Sequence, residues 1–292
     1  MNVIYLRIDI HCHIFSEQNT TKFIDKIFQG FTGYGFYKQI KSELKKVPSV
    51  EADSMFEKTL AHIKNAGLNK VVLLPLSLRE NLLVKEWSEL EPNIFIPFLN
   101  PPEKKSYNQN LYKYFSDQIE SIEYRGFKIT NSFRKKKLND PILKNVFKVA
   151  QDYNLPILMH TGYPPPGTKK NVLSYSNPFK IEEFALQFPE VNIIIAHMGY
   201  PWVDIALSLA VQYQNVYLDI SNLTYMMPNR LKEFLLRAKE LIGLDKILFG
   251  SDGFIPEMIE MTVNLFEGVD FLRKEEKSKI LGENSGELLN II

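Results

Sequence analysis

The sequence predicts an α/β protein, a (β/α)8 TIM barrel with an aromatic-rich insertion after strand one and extra C-terminal helices. Two observations carry this. Eight short apolar runs alternate with amphipathic stretches along most of the 292 residues, as parallel strands buried on both faces and joined by helices would. The side chains best suited to chemistry also close four of those runs: His11 and His13 the first, His160 the fifth, His197 the sixth and Asp252 the eighth. In an open, doubly wound sheet the first and last strand ends can lie far apart. Closure gathers them around one mouth, where barrel active sites form.

The strands are expected at 4–12, 70–75, 94–99, 126–130, 156–160, 191–197, 216–220 and 246–250, with helices at 55–65, 80–89, 111–122, 142–153, 179–188, 203–213 and 231–241. Segments 256–271 and 274–290 read as helices that close the barrel. In the first strand, IDIHCHIF from Ile8, alternation assigns Asp9, His11 and His13 to one face and Ile8, Ile10 and Cys12 to the other. Two imidazoles held one residue apart on a rigid strand are half of a metal site and suit zinc, iron or nickel. PILMH and VNIIIAH end in His160 and His197, each followed closely by glycine, as strand-to-loop exits would be. KILFGSDG ends in Asp252, a plausible oxygen ligand. His62 sits in FEKTLAHIKNAG, a helical pattern ending at Gly67, so a solvated or helix-capping role is expected for it.

Segment 16–50 is too long for a simple loop and carries Phe23, Phe28, Phe31, Tyr34, Phe36 and Tyr37 among Gly30, Gly33 and Gly35. It reads as a partial lid or substrate wall, or equally as a small aromatic subcore or an oligomer contact. The whole chain, 1–292, is expected to form a single domain. Its 35 basic and 34 acidic residues give a formal net charge of +1, which offers no electrostatic reason for nucleic acid or an anionic membrane as partner. The basic run Arg134 to Lys137 is short and reads as a solvated loop or helix start. Cys12 is the lone cysteine, so no intrachain disulfide is available and a reducing compartment is the natural setting. Arg7 and Asp9 interrupt the apolar start that a signal peptide needs. A cytoplasmic protein acting on a small molecule is expected, with a homodimer as the default assembly.

At the shared mouth, His11, His13 and His160 would supply three nitrogens to one divalent ion and Asp252 an oxygen. Zinc is the expected metal, and a second ion is the alternative. Asp252 would also shuttle the proton of an activated water. His197 would polarise substrate as a general acid, or ligate the second ion. Lys128, ending strand four in RGFKIT, would pair with a carboxylate, bind an anionic substrate or, carbamylated, bridge two metals. Asp9 would orient a ligand or cap backbone amides. Segment 161–170, TGYPPPGTKK, is a proline-stiffened loop whose Tyr163 would face the substrate.

The set YLRIDIHCHIF, RGFKIT, PILMHTG, IIIAHMG, ILFGSDG and ILGENSGELL resembles the amidohydrolase superfamily, in the branch that holds aminocarboxymuconate-semialdehyde decarboxylase and related hydrolases and lactonases. The resemblance implies metal ligation by His11, His13, His160 and Asp252, with His197 beside the ion. Two departures fall at the mouth: Gly253 and Phe254 stand between GSD and Ile255-Pro256, and Tyr200 follows Gly199 where a second glycine is common. Three functions follow. The first is a metal-dependent hydrolase acting on a small ester, lactone or amide. The second is a nonoxidative decarboxylase of an aromatic or muconate-type acid. The third, a barrel that binds without turnover, leaves four ligands at separate strand ends unexplained.

Overall fold

A computed structural model describes residues 6–102, 110–163 and 172–291. The first residues of the expected opening strand and most of the proline-rich loop, 164–170, lie outside these. Along the chain run β1 (Ile8–His13), α1 (Thr21–Ile27), α2 (Gly35–Leu44), α3 (Met55–Asn65), β2 (Lys70–Leu74), α4 (Leu78–Leu90), β3 (Phe95–Pro97), α5 (Leu111–Ile122), β4 (Phe127–Ile129) and α6 (Leu143–Asp152). There follow β5 (Ile157–Met159), α7 (Glu182–Gln187), β6 (Ile193–Ile195), α8 (Val203–Gln212), β7 (Val216–Asp219), α9 (Leu223–Met226), α10 (Pro228–Leu241), β8 (Ile247–Leu248), α11 (Glu257–Glu267), α12 (Lys274–Ser278) and α13 (Asn284–Leu288). The Ser54 and Ser77 hydroxyls accept from the amides of Glu57 and Glu80, fixing the starts of α3 and α4.

Consecutive strands pair in parallel within β1–β3 and within β4–β8. Backbone hydrogen bonds join the two sets into a ring. Leu99 N–H donates to Gly126 O and Lys128 N–H to Leu99 O, both at 2.9 Å, while Ile10 N–H reaches Phe249 O at 3.0 Å and Asp252 N–H reaches His11 O at 2.7 Å. The molecule is a TIM barrel. Ile8, Ile10, Val72, Leu74, Ile96, Leu158, Ile194 and Leu248 fill the interior, joined by Leu288 and Leu289. The alternate strand residues, such as Val71, Leu73, Ile157 and Ile193, pack outward against the helices.

The simple alternation expected for β1 does not hold. Its register against β2 slips between Asp9 and Cys12, and such a bulge lets two successive residues face the same way. Ile8 and Ile10 therefore pack inside the barrel, Cys12 packs outward, and His11 still points into the mouth. His62 is a second correction: it is fully buried, and its Nδ1–H donates to Glu260 Oε2 at 2.9 Å, tying α3 to α11.

The insertion forms a subcore. Ile24, Phe28 and Ile40 pack with Tyr225, Ile255, Met258 and Met261, and Asn19 Nδ2 donates to Phe254 O at 3.0 Å. It thus braces the segment that follows Asp252. The expected final helix is instead broken by a π-helical turn at Lys279–Glu283. Gly282 there abuts the Leu6 carbonyl with no room for a side chain, and Ile280 O accepts from Phe249 N–H at 2.9 Å. Among the described residues, no helix is long and apolar enough to cross a membrane.

Candidate metal centre

The mouth gathers every histidine and carboxylate that the sequence placed there. His11 and His160 are buried, as are His197 and Lys128. His13 and Asp252 keep 17% and 14% of their side chains exposed, so the site opens on their side. His13 Nδ1 lies 2.7 Å from Leu74 O. A carbonyl only accepts, so Nδ1 carries the proton and Nε2 presents a lone pair. That lone pair faces Asp252 Oδ1 at 3.0 Å. His11 Nδ1 is 2.9 Å from Asp219 Oδ2, so it too is protonated at Nδ1, and its Nε2 lies 3.5 Å from the same Asp252 oxygen. His13 Nε2 and the Asp252 oxygen thus meet with no hydrogen between them, while His11 Nε2, close to the same oxygen, takes its hydrogen bond from Lys128.

Burial, aided by the nearby Lys128 charge, pushes the His11 imidazole down to about 3, and burial with the His197 charge takes His160 well below its ordinary value. Both are neutral and fit to ligate. Burial alone would raise the Asp252 carboxyl, but His11, His13 and His197 hold it well below the usual carboxylate range. The donor set therefore fits a divalent cation. Among the described residues, His11, His197 and Asp252 each offer a ligand atom within 4.8 Å of the other two. His160 stands to one side, with Nε2–H donating to Tyr163 O at 3.2 Å and Nδ1 3.2 Å from His197 Nε2.

The strand exits are locally strained. His197, Asn222 and Asp252 have φ of 57°, 57° and 46°, a left-handed region that costs non-glycine residues of the order of 1–3 kcal/mol each. Neighbouring bonds hold them there: His197 N–H donates to Asp219 Oδ1 at 3.0 Å, and Asn222 Nδ2 donates to Asp252 Oδ2 at 3.2 Å.

Lys128 is fully buried, and its Nζ donates to His11 Nε2 at 3.0 Å. Burial lowers its ammonium to about 8 despite the opposing charges of Asp252 and Asp219. Asp9 caps the amides of His11 and Ser251, each at 3.0 Å, the amide-capping role open to it in the sequence. Tyr163 is exposed at the rim, its ring 5.6 Å from that of Tyr200. Arg134, from the basic run, is anchored on Asn100 Oδ1 and Pro101 O. Sequence reasoning missed Asp219, Ser221 and Asn222, although VYLDIS ends an apolar run in a carboxylate just as ILFGSD does. It also missed Phe133, whose ring lies 4.3 Å from that of His160.

A barrel with a buried imidazole and carboxylate set at its mouth defines the class of metal-dependent barrel enzymes. The Amidohydrolase family profile matches residues 8–291, and the chain belongs to that family. Protein fluG of Emericella nidulans is 34% identical over 129 residues, covering 42% of this chain and 15% of that protein. The chain thus spans a small part of that relative's length. A Lactobacillus casei protein classed as a metal-dependent hydrolase superposes with a TM-score of 0.73 at 16% identity, covering 98% of this chain and 95% of that one. The 5-carboxyvanillate decarboxylase of Novosphingobium aromaticivorans, complexed with manganese and 4-hydroxy-3-methoxy-5-nitrobenzoic acid, gives 0.62 at 13%, with 98% and 96% covered. At such identities these likenesses establish the fold alone.

Proposed function

We propose that this protein is a metal-dependent hydrolase that turns water on a small carboxylic ester, lactone or amide. One observation carries the reading: the bare Nε2 of His13 and the Oδ1 of Asp252 meet at 3.0 Å with no hydrogen to share, and the Nε2 lone pair of His11, met by Lys128 Nζ, lies 3.5 Å from the same oxygen. A cation satisfies the facing pair and takes the His11 lone pair in place of Lys128. His11, His13, His160 and Asp252 would hold it, and zinc suits three imidazoles with one carboxylate. When bound, such an ion supplies Lewis-acid chemistry and brings water within reach of ionisation near neutral pH.

The chain's own groups do the rest. Asp252, ionised and partly open to solvent, accepts the proton of the attacking water and returns it to the leaving group. Its Oδ2 lies 3.8 Å from His197 Nδ1, a proximity that supports a role for His197 in polarising the scissile carbonyl. The Lys128 ammonium, buried beside the ligands, favours a substrate carrying a negative charge, and Tyr163 forms part of the outer wall.

That same lysine favours a second reading, nonoxidative decarboxylation of an aromatic or muconate-type acid, the kind of reaction named for one structural relative. A panel of lactones, esters and amides run beside such acids, with carbon dioxide release monitored, separates the two. Hydrolysis without carbon dioxide supports the first reading. Carbon dioxide release with no hydrolysis replaces it with the second, and inactivity of the metal-loaded protein on every member counts against both.

A further inference from the structure

We propose that Asp219 is a positioning residue: one buried carboxylate at the end of β7 sets the tautomer of His11 and, through the backbone, the placement of His197. The proposal rests on the metal-centre reading above. Asp219 is fully buried and accepts four hydrogen bonds. Oδ2 takes His11 Nδ1–H at 2.9 Å. Oδ1 takes the amides of His197 at 3.0 Å and Ser221 at 2.9 Å, together with the Ser221 hydroxyl. A carboxylate has no proton to offer its partners, so His11 must keep its proton on Nδ1 and keep a lone pair on Nε2, which Lys128 Nζ meets here and an ion would take. Through Oδ1 the same carboxylate pins the left-handed turn at His197. Three strand ends are therefore registered by one side chain: β1 through an imidazole, β6 through an amide and β7 through its own exit.

Asp219→Asn keeps the size and breaks this logic. If the amide NH2 faces the His197 and Ser221 amides, donors meet donors. If it faces His11, the imidazole must move its proton to Nε2 and lose the ligating lone pair.

Two readouts test the proposal: the His11 tautomer, from nitrogen NMR of metal-free, histidine-labelled protein, and zinc affinity by chelator competition. Wild type should show Nδ1–H. In D219N, Nε2–H should appear and zinc binding weaken by about 10- to 100-fold, while Asp219→Glu, still a carboxylate, should keep the Nδ1–H form. D219N with the Nδ1–H tautomer and unchanged affinity overturns the proposal. Wild type with Nε2–H overturns it too, whether or not D219N folds. Wild-type protein that binds no zinc overturns the hydrolase reading, and the tautomer then still decides for or against Asp219.

Discussion

Gly250 is where the eighth strand closes on the first, and Gly250→Ala measures how tightly. A Cβ at that position would lie 2.5 Å from His11 Cβ, 3.0 Å from Ser221 Cβ and 3.3 Å from His11 N. Ordinary carbon–carbon contact is about 3.5–4.0 Å, so His11 must recede by about 1 Å. It is not free to do so: its carbonyl accepts from Asp252 N–H at 2.7 Å, its ring is held by Asp219, and Ile10 is bonded to Phe249. Overpacking a core at this scale costs about 1–3 kcal/mol. For a chain of this size each kcal/mol lowers Tm by about 2–4 °C. The displaced His11 should also weaken zinc binding. Melting of metal-free protein followed by light scattering and circular dichroism, with chelator competition on the same samples, checks both effects. A G250A protein with wild-type Tm and wild-type zinc affinity would show that β8 is not seated against His11, and the closed-mouth geometry would fall with it.

Asp252→Asn should lower turnover by about 10²–10⁴-fold in steady-state assays, since the amide accepts no proton from water; near wild-type turnover would remove its shuttle role. Stability of the metal-free protein should fall as pH drops from 6.5 toward 4. The folded chain protonates His11 only near 3 whereas the unfolded chain does so near 6.5, so the unfolded state binds more protons in that window. His160 acts in the same direction. Asp9, raised by burial to about 6 from 3.8, opposes them below 6 over a narrower span, so a Tm that stays flat or rises on acidification would contradict the assignment. Glu260→Ala leaves His62 Nδ1 buried without its acceptor and should cost about 1–3 kcal/mol with turnover unaltered, read by melting and steady-state assay; loss of turnover without loss of stability would give the pair a role in the site.

The barrel was legible because its signal is local. Each strand is an apolar run a few residues long, and an imidazole or carboxylate ending such a run reports a strand exit without any knowledge of neighbours. What stayed hidden depends on distant or subtle partners. The slip in β1 changes no residue type, so Ile10 and His11 cannot be told from simple alternation by composition. His62 looks like any histidine on an amphipathic helix until Glu260, 198 residues further on, is packed against it. The aromatic insertion read equally as lid or subcore, because its partners Tyr225 and Met258 come from the other end of the chain. Asp219 is different: its signal was in plain view, and only the weight given to histidines hid it.

His11, His13, His160 and Asp252 are proposed to hold one divalent ion, with His197 beside it. Anomalous scattering at the zinc edge, from crystals of the purified protein grown with zinc, tests this most directly. A single peak is expected at about 2.0–2.2 Å from nitrogen atoms of His11, His13 and His160 and from an Asp252 oxygen, with His197 outside bonding range. No peak at the mouth, or a peak ligated by His197 with His160 left on the Tyr163 carbonyl, would contradict it.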